Sequence, residues 1–284
     1  MQKNWTIKDL LEWTTRFFTD KGIENPRLNA EVLLAQVLNK DRVYLYANYY
    51  APVNKHEREQ YRELIKRRAN REPLAYLVEK REFMGLDFRV TPAVLIPRPE
   101  TELLVETVLQ LVDPHQPVSI CDVGTGSGAI AVSLAYYLPQ AQVTGIDISE
   151  EALEIARFNA ERHGVNVRFL KGDLLTGLAA EERFHLICAN LPYISEEEYP
   201  GLDQEVRDFE PKLALWGFGD GLELYRKLVP QVWTHLQPGG YLFMEIGCNQ
   251  AEAATQLLPA SVSVQVMQDW SGLDRLIVAY KEMG

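Results

Sequence analysis

The stretch Val118-Ser119-Ile120-Cys121-Asp122-Val123-Gly124-Thr125-Gly126-Ser127-Gly128 decides the fold. An apolar run of buried-strand type ends on an acid and three alternate glycines, and residues 129 to 138 continue as an apolar helical segment. Glycines between a strand and a helix let the backbone turn sharply and a ligand approach closely, while the helix N-terminus supplies free N–H groups. The pattern predicts one strand–loop–helix unit of an open α/β sheet, with a ligand at the strand's C-terminal end.

Downstream residues extend this unit. Asp147 ends the next expected strand, 143 to 147, where an acid can accept hydrogen bonds from both hydroxyls of a ribose. Asp173 follows Lys171-Gly172 at the end of a third strand; it can accept from an adenine amino group, with Leu174 covering the ring. A dinucleotide loop needs G-x-G-x-x-G, whereas here the third glycine, Gly128, comes one place early and Ala129 takes its position. That disfavours NAD and favours a single adenosine-bearing cofactor. The cofactor candidates are Gly124, Thr125, Gly126, Ser127, Gly128, Asp147, Asp173 and Leu174, joined by Asn190.

From 118 to 280 strands and helices alternate: a helix from 150 to 163 capped by Ser149, strands at 167 to 170, 184 to 188 and 241 to 246, and a helix from about 221 to 235. Two last runs, 263 to 267 and 275 to 280, lie close enough in sequence to pair antiparallel. Such alternation predicts a mostly parallel sheet with helices on both faces.

Residues 1 to 80 predict a small helical bundle. Thr6-Ile7-Lys8-Asp9 resembles a capping box, Asn25-Pro26 looks like an N-cap with proline in the first turn, and Val43, Tyr44 and Tyr46 mark a short third helix. A fourth, from about 55 to 71, carries Tyr61, Leu64, Ile65 and Arg68 on one face. Residues 81 to 97 read as a hairpin linker and 98 to 284 as the α/β domain. Pro99 opens a helix with Glu100 and Glu102 in its first turn, where the helix dipole favours anions.

Composition excludes several classes. No apolar run approaches the ~18 residues that span a bilayer, and Met1-Gln2-Lys3-Asn4-Trp5 leads straight into an amphipathic pattern, unlike a signal or transit peptide. Cys121, Cys188 and Cys248 are far apart and read as buried thiols of a reducing cytoplasm; neither they nor the five histidines cluster at metal-ligand spacing, so no metal is expected. A net charge of -11 argues against an obligatory nucleic-acid partner. The local basic run, nine Lys/Arg against five Glu between residues 55 and 81, reads as a solvated helix face or a docking surface for an acidic or RNA-rich partner.

The chemistry is expected at Asn190-Leu191-Pro192-Tyr193, which ends the 184 to 188 strand. Asn190 offers an amide oxygen and an NH2 in one plane, Pro192 stiffens the turn, and Tyr193 brings a flat ring that can stack on a planar group. Such a set can grip another planar NH2, although Asn, Pro and Tyr are also common turn residues.

With the glycine loop, Asp147, Asp173 and this strand end together, the sequence resembles the class I S-adenosylmethionine-dependent methyltransferases, and more narrowly the HemK/PrmC family, the protein-(glutamine-N5) methyltransferases of peptide chain release factors. The likeness spans nearly the whole chain and is most specific at Ile96-Pro97-Arg98-Pro99-Glu100-Thr101-Glu102, with further support at Glu210 to Leu215, Gly219-Asp220-Gly221-Leu222 and Asp269 to Arg275. It implies a Rossmann-like, seven-stranded, mostly parallel sheet behind an N-terminal substrate-recognition domain. It also implies that S-adenosylmethionine donates a methyl group and that the GGQ-type glutamine of a release factor receives it. The Asn190 side-chain oxygen and the Leu191 carbonyl would each accept one amide N–H, Tyr193 would pack on the amide plane, and Arg98 and Glu100 would shape the pocket wall or cap a helix. Leu191 replaces the family's usual proline, and Asn-Leu-Pro-Tyr is familiar from ribosomal-RNA adenine N6-dimethylases. A ribosomal-protein glutamine or an adenine N6 acceptor therefore stays as the alternative substrate.

Overall fold

The computed structural model describes residues 5–283, so the reading of Met1 to Asn4 lies outside the described residues. The chain forms two compact units, 1–80 with 203–209, and 81–202 with 210–284.

The first unit contains α1 (Ile7–Asp20), α2 (Pro26–Leu38), α3 (Arg42–Ala47), α4 (Lys55–Ala69) and α5 (Leu74–Leu77), together with the short helix Gln204–Phe209. Thr6 and Asp9 form the expected capping box, with Thr6 N–H donating to Asp9 at 3.0 Å and Asp9 N–H to Thr6 at 3.2 Å. Asn25 is the N-cap and Pro26 opens the helix, as expected, but Asn25 takes φ 46° and its side chain makes no cap bond. In α3 the buried residue is Leu45, whereas Val43 and Tyr46 are exposed. A six-residue helix shows too little of its period for the sequence to say which face turns inward.

The core of this unit joins Leu11, Phe18, Leu33, Leu34, Leu45, Tyr61 and Ile65. Arg68, only 4 % exposed, donates to Asn29 Oδ1 at 2.7 Å and Glu205 Oε1 at 2.7 Å. A buried guanidinium needs such acceptors, and Glu205 comes from the segment that returns to this unit late in the chain. Much of the basic run is paired locally, Arg67 with Glu72 and Lys66 with Glu63.

The second unit opens with the hairpin β1 (Arg81–Phe83) and β2 (Leu86–Phe88), whose Phe83 and Phe88 are buried in its core. Pro99–Thr101 is a 3₁₀ turn that runs into α6 (Glu102–Leu111), and the Glu102 carboxylate accepts from Met84 N–H at 2.7 Å. Then come β3 (Val118–Val123), α7 (Ala129–Tyr137), β4 (Ala141–Asp147), α8 (Glu150–Arg162), β5 (Val167–Lys171), β6 (Phe184–Ala189), β7 (Leu236–Glu245), β8 (Ser263–Gln268) and β9 (Asp274–Tyr280). The strand order is β5-β4-β3-β6-β7-β9-β8, parallel up to β7, with β9 antiparallel to both its neighbours.

Period-2 alternation divides the core between the two sheet faces. Cys121, Val123, Ile187, Ala189, Leu242 and Met244 pack with the helix Glu223–His235; Ile120, Leu186, Cys188 and Phe243 pack with α6 and α7. Two of the three thiols are buried as expected, but Cys248 lies just beyond β7 and is exposed. No helix among the described residues is long and apolar enough to cross a membrane.

Candidate active site

β3 and β6 are adjacent and parallel, with Val123 opposite Ala189, so the glycine loop and Asn190-Leu191-Pro192 leave the sheet side by side at its C-terminal edge. Strand order reverses at this pair, which is the crevice where open α/β sheets bind ligands. A cavity of about 380 Å³ lies there, a size suited to a small cofactor. Its walls include Gly124, Thr125, Gly126, Ser127, Asp147, Asp173, Leu174, Asn190, Leu191, Pro192 and Arg98. Gly128, Tyr193 and Glu100 are not in those walls.

The loop is held from inside. Gly124, Gly126 and Gly128 all take positive φ, 73°, 55° and 80°, where a side chain is strained. Buried Asp122 accepts from the Thr125 hydroxyl at 2.6 Å and from Ala131 N–H at 3.2 Å, which ties the loop to α7. Burial pushes its carboxyl up to about 7 against those two bonds. Gly124 and Thr125 N–H donate to Ile146 O, Gly128 N–H to Thr125 O, and Gly126 N–H to Asp147 Oδ2 at 2.8 Å.

Four N–H groups of the loop, those of Gly124, Thr125, Gly126 and Gly128, are thus occupied within the protein. A pyrophosphate needs such donors unpaired; an adenosine sulfonium has no phosphate and needs shape and carboxylates instead. Asp147 accepts from Gly126 and from Ser149 N–H at 2.9 Å, which leaves part of its lone-pair capacity for a ligand. Burial raises its pKa. Exposed Asp173 stands at the rim, and buried Leu174 takes φ 55° to line the wall.

Asn190 donates its side-chain N–H to Thr101 Oγ1 at 3.1 Å. No protein donor reaches its Oδ1, or the Leu191 carbonyl, among the described residues. Leu191 is more than a bare carbonyl: its side chain is 4 % exposed, and its N–H donates to Tyr225 OH at 3.2 Å. A Cβ on Gly124 would lie 2.9 Å from Leu191 Cδ2, so glycine there makes room for the leucine.

Tyr193 turns away from the cavity wall; its hydroxyl donates to Glu245 Oε1 at 3.3 Å, and burial raises its pKa. Arg98 forms an ion pair with Glu210, whose side chain is 1 % exposed and whose Oε2 accepts Ile96 N–H at 3.1 Å. That bond fixes the segment forming the opposite wall. Glu100 is half-buried in the 3₁₀ turn; burial pushes the Glu245 carboxyl up to about 7, and the Glu100 charge adds to that rise and to the one that burial causes at Tyr193.

Several supporting residues escaped the sequence reading. Gln250 Nε2 donates to Tyr193 O at 2.9 Å, and a Cβ on Gly217 would lie 2.6 Å from Pro192 O. Gly221, at φ 88°, similarly has no room beside Tyr193 O. The glycines of 217 to 221 therefore let one backbone strap press on another. Glu245 was also missed, although a carboxylate closing the apolar run Leu242-Phe243-Met244 was a visible signal, and Thr101 was quoted without a role.

Comparison with known proteins agrees with this architecture. Residues 9–78 match the PrmC N-terminal domain and residues 114–274 a methyltransferase domain. A release factor glutamine methyltransferase of Geobacter sulfurreducens is 45% identical over 96% of both chains, and one of Moorella thermoacetica is 44% identical over 97% of this chain and 99% of that one. In shape, a T. thermophilus 16S rRNA N2 methyltransferase solved with AdoMet and guanosine superposes with TM-score 0.53 at 19% identity, over 72% of this chain and 50% of that one. That likeness speaks for the fold alone. Full-length identity above 40% to two such relatives, with both domains matched, makes this chain a member of the release factor glutamine methyltransferase family.

Proposed function

We propose that this chain transfers a methyl group from S-adenosylmethionine to the side-chain nitrogen, N5, of the GGQ-type glutamine in peptide chain release factors. The observation that carries the reading is the pair of oxygens without a donor among the described residues, Asn190 Oδ1 and the Leu191 carbonyl, on the wall that also holds the glycine loop, Asp147 and Leu174. Two acceptors side by side match the two N–H groups of one primary amide.

A carboxamide nitrogen is a poor nucleophile because its lone pair is delocalised into the carbonyl. Bound S-adenosylmethionine supplies the electrophilic methyl group. Asn190 and Leu191 hold both amide hydrogens and so aim the nitrogen, a contribution of orientation and not of a strong base. Leu174, Ile146, Ile148 and Ile130 give the cavity an apolar lining that excludes water from the reacting groups. Asp147 and Asp173 would accept hydrogen bonds from ribose hydroxyls and from an adenine amino group, and glycines 124 and 126 keep the cradle open. Tyr193 supports the grip from behind. Arg98 with Glu210 braces the wall facing Asn190.

The helical first unit is the proposed reader of the protein substrate, so residues 1 to 80 recognise, 81 to 97 connect and 98 to 284 catalyse. The test offers purified release factor, ribosomal protein and ribosomal RNA side by side with labelled S-adenosylmethionine, and locates the product by mass spectrometry. Label on the release-factor glutamine supports the reading. Label on a ribosomal-protein glutamine or on adenine transfers the same grip to that acceptor and overturns the proposed substrate.

A further inference from the structure

We infer that Tyr225 and Gln250 hold open the last two rungs between β6 and β7, so that the Leu191 carbonyl, which a completed ladder would take up, stays free for the substrate. This inference rests on the reading of that carbonyl as a substrate acceptor.

β6 and β7 run parallel, and their register ends at Ala189 opposite Met244. Along a strand, the main-chain groups of successive residues point alternately to the two neighbouring strands. Ile246 N–H donates to Arg275 O at 2.9 Å, on the β9 side, so Glu245 and Gly247 face β6. On the other strand Asn190 O faces the glycine loop, 3.8 Å from where a Cβ on Gly124 would lie, so Leu191 faces β7. Continued in this register, the ladder would take Leu191 N–H to Glu245 O and Gly247 N–H to Leu191 O.

A side-chain oxygen stands in each of these rungs. The Tyr225 hydroxyl accepts Leu191 N–H at 3.2 Å and donates to Glu245 O, with Ala189 O also in reach at 3.3 Å. Tyr225 lies fully buried in the first turn of the helix Glu223–His235, and burial raises its pKa, so the phenol keeps the proton that this bridge needs. In the next rung Gln250 Oε1 takes Gly247 N–H at 2.9 Å, while its Nε2 donates to Tyr193 O at 2.9 Å. The Leu191 carbonyl is thereby spared the donor that the sheet would supply.

Its direction is set by the same contacts. Pro192 confines Leu191 to extended backbone, so fixing the Leu191 N–H on Tyr225 also fixes where its carbonyl points. Tyr225 and Gln250 touch neither cofactor nor substrate in this scheme; they are positioning residues.

The test uses substitutions in the full-length protein. Tyr225→Phe removes the wedge and lets Leu191 N–H close on Glu245 O; Gln250→Leu releases Gly247 N–H to the Leu191 carbonyl. Each should lower kcat about 10- to 100-fold, the scale of one oriented hydrogen bond. KM for release factor and Kd for S-adenosylmethionine should stay within about threefold, because other contacts set them. A purely structural role lowers Tm and leaves kcat parental well below the melting range, and that result would overturn the inference. In a crystal structure of Gln250→Leu, the Gly247 nitrogen should lie within about 3.2 Å of the Leu191 oxygen. A rung still open beside a lowered kcat would overturn it as well.

Leu191→Pro has no N–H with which to close the first rung, so adding Tyr225→Phe to it should lower kcat less than about threefold further; losses that multiply in full would refute the coupling. Parental kcat in both single variants beside an inactive Asn190→Ala enzyme overturns this inference alone. A fully active Asn190→Ala enzyme overturns the reading beneath it.

Discussion

Gly217→Ala places a methyl group where nothing can give way. Its Cβ would lie 2.5 Å from Gly221 O, 2.6 Å from Pro192 O and 2.9 Å from Gly221 Cα, all main-chain atoms. A flexible side chain could swing aside; two crossing backbone segments must separate. Overpacking of this kind costs about 2–3 kcal/mol, which for a unit of this size lowers Tm by about 5–10 °C. The segment that moves is Pro192-Tyr193, directly after the two oxygens assigned to the substrate, and misplacement approaching 1 Å is worth about 100-fold in rate. The expectation is therefore a kcat reduced at least about tenfold, with cofactor Kd within about threefold, because the glycine loop is untouched. The control is Gly201→Ala, where nothing lies within 4 Å of the added carbon and φ is not positive; Tm should hold or rise slightly. Scanning calorimetry and a radiolabelled methyl-transfer assay read both quantities. Parental Tm and kcat in Gly217→Ala would refute the claim that this strap positions the site.

Buried Asp122, whose carboxyl is pushed up to about 7 by burial, binds more protons folded than unfolded between about pH 4 and 7. Its contribution to stability is full below the unfolded pKa and is lost as pH rises through the folded one, so Asp122→Asn should gain Tm relative to the parent at pH 8 and lose that advantage at pH 4; an unchanged difference across that range would contradict it. Glu205→Ala strands the Arg68 guanidinium, buried with Asn29 as its other side-chain acceptor, and should destabilise the first unit by about 2–3 kcal/mol; a denaturant midpoint equal to the parent's would show that the pair contributes nothing. Leu191→Pro brings in the family's usual residue but removes the N–H donated to Tyr225 and a buried side chain. It should lower Tm by several degrees, and a silent variant would restore the view that this position acts through its carbonyl alone.

The centre of the sheet was legible because β3, β4 and β6 are buried along most of their length and punctuated by glycine or acid. Val118 to Val123, Ala141 to Asp147 and Phe184 to Ala189 declare themselves by composition, and the cofactor wall follows from their C-terminal ends. The supporting contacts were not legible, since each joins residues far apart in sequence: Asn190 with Thr101, Tyr193 with Glu245, Ile96 with Glu210, Gly217 with Pro192. Local periodicity carries no information about such pairs. Tyr193 was expected on the cavity wall because its ring is flat; its hydroxyl instead follows a buried carboxylate inward. Cys248 was expected inside because β7 is apolar, but it lies three residues past the strand's last residue, where the chain has left the core. The Asp203–Phe209 segment returns to the first unit through Glu205 and Arg68, a link that no local pattern announces.

The central claim is that Asn190 serves the acceptor amide and not the cofactor. Single-turnover methyl transfer to release factor by Asn190→Ala, at saturating S-adenosylmethionine and with the cofactor Kd measured by calorimetry on the same preparation, separates the two. A rate lower by at least about 1000-fold with Kd within about threefold of the parent is the predicted result. A parental rate, or equal losses in rate and in cofactor binding, would contradict it.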